Sequence, residues 1–102
     1  MPAKRALIMH PSDNVATAVE EIQAGDEVVV PAGRGAVSVR AIEPIPFGFK
    51  IALTEIPRGE TIRKYGETIG AASARIAPGA LVHVHNLEGT RARGDLERRG
   101  EA

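Results

Sequence analysis

The chain has 102 residues, 13 basic and 13 acidic side chains that cancel, no cysteine, no tryptophan, and aromatics at only 3%. Such a length holds one domain with a modest core of Val, Ile, Leu and Ala, and leaves little enclosed volume for a private active site. Interspersed charge argues against the basic footprint of a nucleic-acid binder, and the lack of cysteine excludes a disulfide framework or a thiolate zinc site. Near the start, the apolar run ALIM is too short for a signal segment or a membrane span. The expected location is therefore cytoplasmic, with neither nucleic acid nor membrane as a partner.

In chain order, the first element is PSDNVATAVEEIQAGDE, which predicts a short helix near residues 13–24. Val15, Ala18, Val19 and Ile22 fall at i, i+3, i+4 and i+7, Ser12 or Asp13 can cap the start, and Gly25 suits the left-handed position after the last turn. The runs DEVVVPAG, GAVSVRAI, FKIALTEI, ETIRKYG and ALVHVHNL then read as short strands, being β-branched or alternating and separated by Pro and Gly. The segments PIPFGFKIAL, EIPRGETIRKYG and RIAPGALVHVHN share a Pro-Gly turn before a strand, and EIQAGDEVVV has the same shape without the proline. A mainly β, turn-rich domain over residues 1–95 is expected, followed by a polar tail over 96–102. Arg93-Gly94-Asp95 is read as a chance tripeptide, without an adhesion role.

Three groups of residues point to chemistry. In LVHVHNL, period-two spacing sets His83 and His85 on one strand face beside Asn86, with Val82 and Val84 opposite. A bare H-x-H more often consists of ordinary strand residues, because metal sites usually need three or more ligands. A tertiary cluster with His10 stays open, and neutral imidazole suits divalent iron, manganese and zinc. In IRKYGETIG, Lys64 and Tyr65 precede Gly66 on a turn. Such residues are usually solvated or packed, but a lysine there can also hold a carboxylate or stabilise an enolate. Asp13 and Asn14 stand at the expected helix start, where capping explains them and where anions also bind.

The order HPSDNV, GFKIAL, GETIRKYGETIGAA, IAPG, VHVHNL and RARGD resembles the N-terminal SAF-type domain of the altronate dehydratase family, which includes galactarate dehydratases and sulfolactate sulfo-lyases. The likeness runs from His10 to Asp95, and it implies a SAF-type β-clip, either fused ahead of a large catalytic domain or made as a small subunit. By that resemblance the chain is the small subunit of a hydro-lyase acting on a hydroxy or sugar acid such as altronate, galactarate or sulfolactate. It would work with a large catalytic subunit and be inactive alone. The resemblance also implies divalent iron or manganese (Fe2+ or Mn2+), held largely by that partner. His83, His85 and Lys64 become the catalytic candidates, and Lys50, Tyr65, Asn86, Asp13 and Asn14 the substrate-binding ones, with His83 and His85 also candidate metal ligands. Family members often carry His directly before the strand lysine, and here Phe49 stands there. The alternative is a non-catalytic SAF-type carbohydrate-binding or assembly module, and self-association into a homo-oligomer is open.

Overall fold

Four glycine turns of one design organise this chain. A computed structural model describes residues 3–89, so the tail at 96–102 and the tripeptide Arg93-Gly94-Asp95 lie outside the described residues. The strands are β1 (Lys4–Leu7), β2 (Val15–Ala18), β3 (Glu27–Ala32), β4 (Gly35–Arg40), β5 (Lys50–Ala52), β6 (Thr61–Lys64), β7 (Glu67–Ala72), β8 (Leu81–Val82) and β9 (Leu87–Gly89). They make one sheet in the order β4-β3-β1-β2-β5-β8 and a second in the order β6-β7-β9. Among the described residues, only β1 and β3 pair in parallel. Among the described residues there is no helix, and so none long and apolar enough to cross a membrane.

Each turn begins one residue after a buried isoleucine and ends one residue after a glycine. Asp26 N–H donates to Gln23 O at 3.1 Å, Phe49 to Pro46 at 3.0 Å, Glu60 to Pro57 at 3.0 Å and Ala80 to Ala77 at 3.1 Å. The third residue is Gly25, Gly48, Gly59 or Gly79, with φ between 85° and 91°. A turn with positive φ at that position selects glycine, because a Cβ would strain it. Each glycine amide then donates to an alanine carbonyl: Gly25 to Ala41, Gly48 to Ala18, Gly59 to Ala72 and Gly79 to Ala52. The same alanine returns its N–H to the residue after the glycine.

Isoleucines close the pattern, Ile22 bridging Ile45 and Ile56 bridging Ile76, all at most 1% exposed. One core cluster collects around Ile22, Ile45, Ile51 and Val28, and the other around Ile56, Ile62, Ile76 and Val82. The repeat read from Pro-Gly punctuation is thus a structural duplication. The mainly β, turn-rich fold forms as expected among the described residues.

The helix near residues 13–24 does not form. Val15–Ala18 is the strand β2, paired with β1 on one side (Ala6↔Ala18, Leu7↔Thr17) and β5 on the other (Ala16↔Ile51, Thr17↔Lys50). Val15, Thr17 and Val19 are β-branched and lose rotamer freedom in a helix, so local propensity gave the helical spacing weak support. Two paired edges and the burial of Val15, Ala16 and Ala18 outweigh it.

Candidate functional site

The β6–β7 hairpin turns through Tyr65 and Gly66, with φ of 57° and 80°. Two-residue hairpins of this kind need positive φ at both central positions and usually use Asn-Gly. A tyrosine there costs roughly 1–2 kcal/mol, and Tyr65 is the sole non-glycine residue with positive φ among the described residues. Tertiary bonds hold it. The Tyr65 hydroxyl donates to Thr17 Oγ1 at 3.3 Å, the Gly66 N–H donates to Asp13 Oδ1 at 2.8 Å, and Lys64 Nζ lies 5.0 Å from the centre of the Tyr65 ring. That last distance falls within cation–π reach.

Thr17 stands opposite Lys50 across the β2–β5 pairing, which brings a second cation toward this cluster. Burial lowers the Lys50 pKa from its ordinary value, and the positive charge of Lys64 lowers it further. The ion pairs of the described residues are Lys4–Asp26, Arg5–Glu20 and Arg75–Glu55, so neither Lys50 nor Lys64 has a carboxylate partner among them. Two half-buried lysines that feel each other and stand outside the ion pairs of the described residues, with Glu67 the carboxylate opposite Lys64 across the hairpin, make a surface that can take an anion.

Asp13 and Asn14 support this cluster from beneath instead of capping a helix. Asp13 Oδ1 accepts from Gly66 N–H and Oδ2 from Met9 N–H at 3.1 Å. Burial alone would raise the Asp13 pKa, but the amide bonds from Gly66 and Met9, aided by Tyr65 and His10, hold the carboxyl below its usual range. Asn14 receives Arg63 N–H on Oδ1 at 2.8 Å and gives its amide to Thr61 O at 2.9 Å, tying the β1–β2 loop to β6. Both side chains are spent on backbone groups. The same loop walls an open groove of about 820 Å³, lined by Met9, His10 and Asp13 and faced by Val37, Leu53 and Arg63.

His83 and His85 do not share a strand face. The strand ends at Val82, and His83–Asn86 is a turn closed by Asn86 N–H to His83 O at 3.0 Å. Asn86 explains the break, since its Oδ1 accepts from His83 N–H at 2.9 Å and its Nδ2 donates to Leu81 O at 2.8 Å. A side chain that satisfies local backbone groups competes with ladder pairing. Val84 is 78% exposed at the tip, so it adds nothing to the core. The His83 ring rests against Phe49 with centroids 4.7 Å apart, and His85 is exposed.

No group of three or more His, Asp or Glu side chains among the described residues is placed to hold a metal ion. The described residues of this chain therefore do not fit divalent iron or manganese as a complete site. The structure brings Lys50, Lys64 and Tyr65 together, and no side-chain hydrogen bond or ring contact among the described residues joins them to the 83–86 turn. Sequence reasoning missed Thr17, whose bond to Tyr65 spans 48 residues with no local signal.

Residues 4–90 match the altronate/galactarate dehydratase SAF domain. The chain is 42% identical over 78 residues to an altronate dehydratase of Escherichia coli, covering 76% of this chain and 15% of that protein. An altronate dehydratase of Bacillus subtilis is 39% identical over 85 residues, covering 83% and 16%. A (2R)-sulfolactate sulfo-lyase subunit alpha of Chromohalobacter salexigens is 39% identical over 46 residues, covering 45% and 49%. The matches thus span about a sixth of the two dehydratases and about half of the sulfo-lyase subunit.

Proposed function

Because this chain belongs to the altronate/galactarate dehydratase SAF domain family, we propose that it is the small component of a lyase that eliminates water, or a comparable group, from a hydroxy or sugar acid. The observation that carries the reading is the pair Lys50 and Lys64, mutually repelling and outside the ion pairs of the described residues, beside a tyrosine held in a strained turn. Elimination next to a carboxylate places negative charge on an enolate when the α proton leaves, and fixed cations stabilise that charge. Lys64 and Lys50 hold the carboxylate in this reading, and the Tyr65 ring, anchored at Thr17 through its hydroxyl, positions Lys64.

The remaining groups come from a large catalytic partner, because one small open groove cannot exclude water. That partner is supported by the short share of the dehydratases that the chain spans and by the word "subunit" in the name of the sulfo-lyase relative. Any divalent iron or manganese belongs largely to the partner, and His85, exposed, with His83, half-buried against Phe49, meets it at the boundary. Mixing the purified chain with its large partner and assaying water loss from altronate and galactarate, and sulfite release from sulfolactate, tests the proposal. Turnover is expected from the mixture alone, with a large loss for Lys64→Met. Turnover by the partner that is indifferent to this chain would refute the reading and leave a binding or assembly module.

A further inference from the structure

His10 lies against the Tyr65–Gly66 turn. A Cβ built on Gly66 would lie 3.1 Å from both Cγ and Cδ2 of His10, so the ring is stacked against the face of Gly66 where no side chain fits comfortably. Its Nδ1 accepts the backbone N–H of Ser12 at 3.1 Å, and the Ser12 hydroxyl oxygen lies 2.8 Å from the same nitrogen. A backbone amide can only donate, so Nδ1 is an acceptor and the neutral ring carries its hydrogen on Nε2. His10 is exposed and lines the groove beside Met9, Asp13 and Arg63; Lys50, Lys64 and Tyr65 are not part of that lining, and the ring meets their cluster through the backbone at Gly66. No described hydrogen bond uses Nε2, which leaves one fixed donor at the foot of the strained turn.

We propose that His10 Nε2–H is a substrate-binding donor that contacts an anionic oxygen of the hydroxy acid held at Lys64. This rests on the reading of Lys50 and Lys64 given above and adds to it the residue that receives the far side of the ligand. It also gives a reason for Ser12: by occupying Nδ1 it fixes which nitrogen donates, as outer partners fix the tautomer of ligating histidines elsewhere.

The test is a titration of the full chain with tartrate, a hydroxy diacid, followed by the ring nitrogens of His10 and the side-chain signals of Lys50 and Lys64 in NMR spectra. His10→Asn puts an amide oxygen where Nδ1 stands, so Ser12 keeps its acceptor, while nothing donates from the place of Nε2. His10→Gln restores a donor near that place. The expected result is a wild-type ring with its hydrogen on Nε2, a response of that nitrogen to tartrate, an affinity lower by about tenfold for His10→Asn at an unchanged thermal midpoint, and recovery for His10→Gln. Lysine signals that respond while His10 stays silent, or His10→Asn binding as tightly as wild type, would overturn the inference and leave the lysine site standing. A ring protonated on Nδ1 would also overturn it, and needs no variant to observe. If tartrate moves none of these signals, the lysine reading and the inference fall together.

Discussion

Replacing Asp13 with alanine removes the acceptor of two backbone amides at once, Gly66 N–H at 2.8 Å and Met9 N–H at 3.1 Å. Bonds to an ionised acceptor are worth about 1.5–3 kcal/mol each. Met9 and Gly66 lie at exposed positions where water can replace the carboxylate in part, so the two losses do not add in full. A net cost of about 2–3 kcal/mol remains, which for a domain of this size lowers the thermal midpoint by roughly 10–20 °C. The pH dependence follows from the depressed pKa of Asp13. A carboxyl whose folded pKa lies below its unfolded value near ~4 contributes stability that is fully present above that value and is lost as pH falls through the folded one. Asp13→Asn should therefore be less stable than wild type at neutral pH, with the gap closing below about pH 4. Thermal melts followed by circular dichroism between neutral pH and about pH 3 measure both effects. A gap that ignores pH, or an alanine variant that melts within about 3 °C of wild type, would refute the anchoring role.

Three further outcomes are expected. Gly79→Ala places a Cβ 1.9 Å from Arg40 O at a φ of 85°, and should destabilise far more than Gly33→Ala, whose Cβ meets nothing within 4 Å; equal urea midpoints would contradict the turn geometry. Lys50→Met should raise the thermal midpoint, since a lysine with depressed folded pKa costs stability while it is charged; the gain should shrink as pH rises through the folded value toward the unfolded one near ~10.4, and a variant less stable at neutral pH would count against the burial and the Lys64 repulsion. His85→Ala should leave the melting of the chain nearly unchanged, as an exposed side chain contributes little, yet reduce turnover with the partner by on the order of a hundredfold if the imidazole transfers a proton; full activity would assign His85 to the turn alone.

The β class and the repeating turns were legible because glycine at a positive-φ position is a local signal, written into Gly25, Gly48, Gly59 and Gly79 themselves. The helix was misread for the opposite reason. The spacing of Val15, Ala18, Val19 and Ile22 is local, whereas the pairing of β2 with β1 and β5 that extends this segment is not. The same holds for LVHVHNL, where alternation suggested a strand and Asn86, by bonding backwards to Leu81 and His83, closed a turn. Within the candidate site, Lys64 and Tyr65 stood out by sequence, but the link from Tyr65 to Thr17 and the shared neighbourhood of Lys50 and Lys64 depend on register between distant strands.

The duplication separates what the fold requires from what it carries. Each half sends out a hairpin between its glycine turn and the alanine that the glycine clips: β3–β4 between Gly25 and Ala41, and β6–β7 between Gly59 and Ala72. The first hairpin places its positive φ on a glycine, Gly33, which costs no strain. The second places Tyr65 at the corresponding corner and needs Asp13 and Thr17 to hold it there. Counted from the turn glycine, Lys50 after Gly48 stands where apolar Leu81 stands after Gly79. Leu81 shows that this position needs no charge to form the sheet, and Lys50 is less comfortable there, since burial works against its charged form. A fold that solves the same problem twice, once without cost and once with strain and a half-buried cation, keeps the costly solution for something other than folding. Both departures lie in the cluster of Lys50, Lys64 and Tyr65, and the support of this turn by Asp13 can be measured independently of turnover.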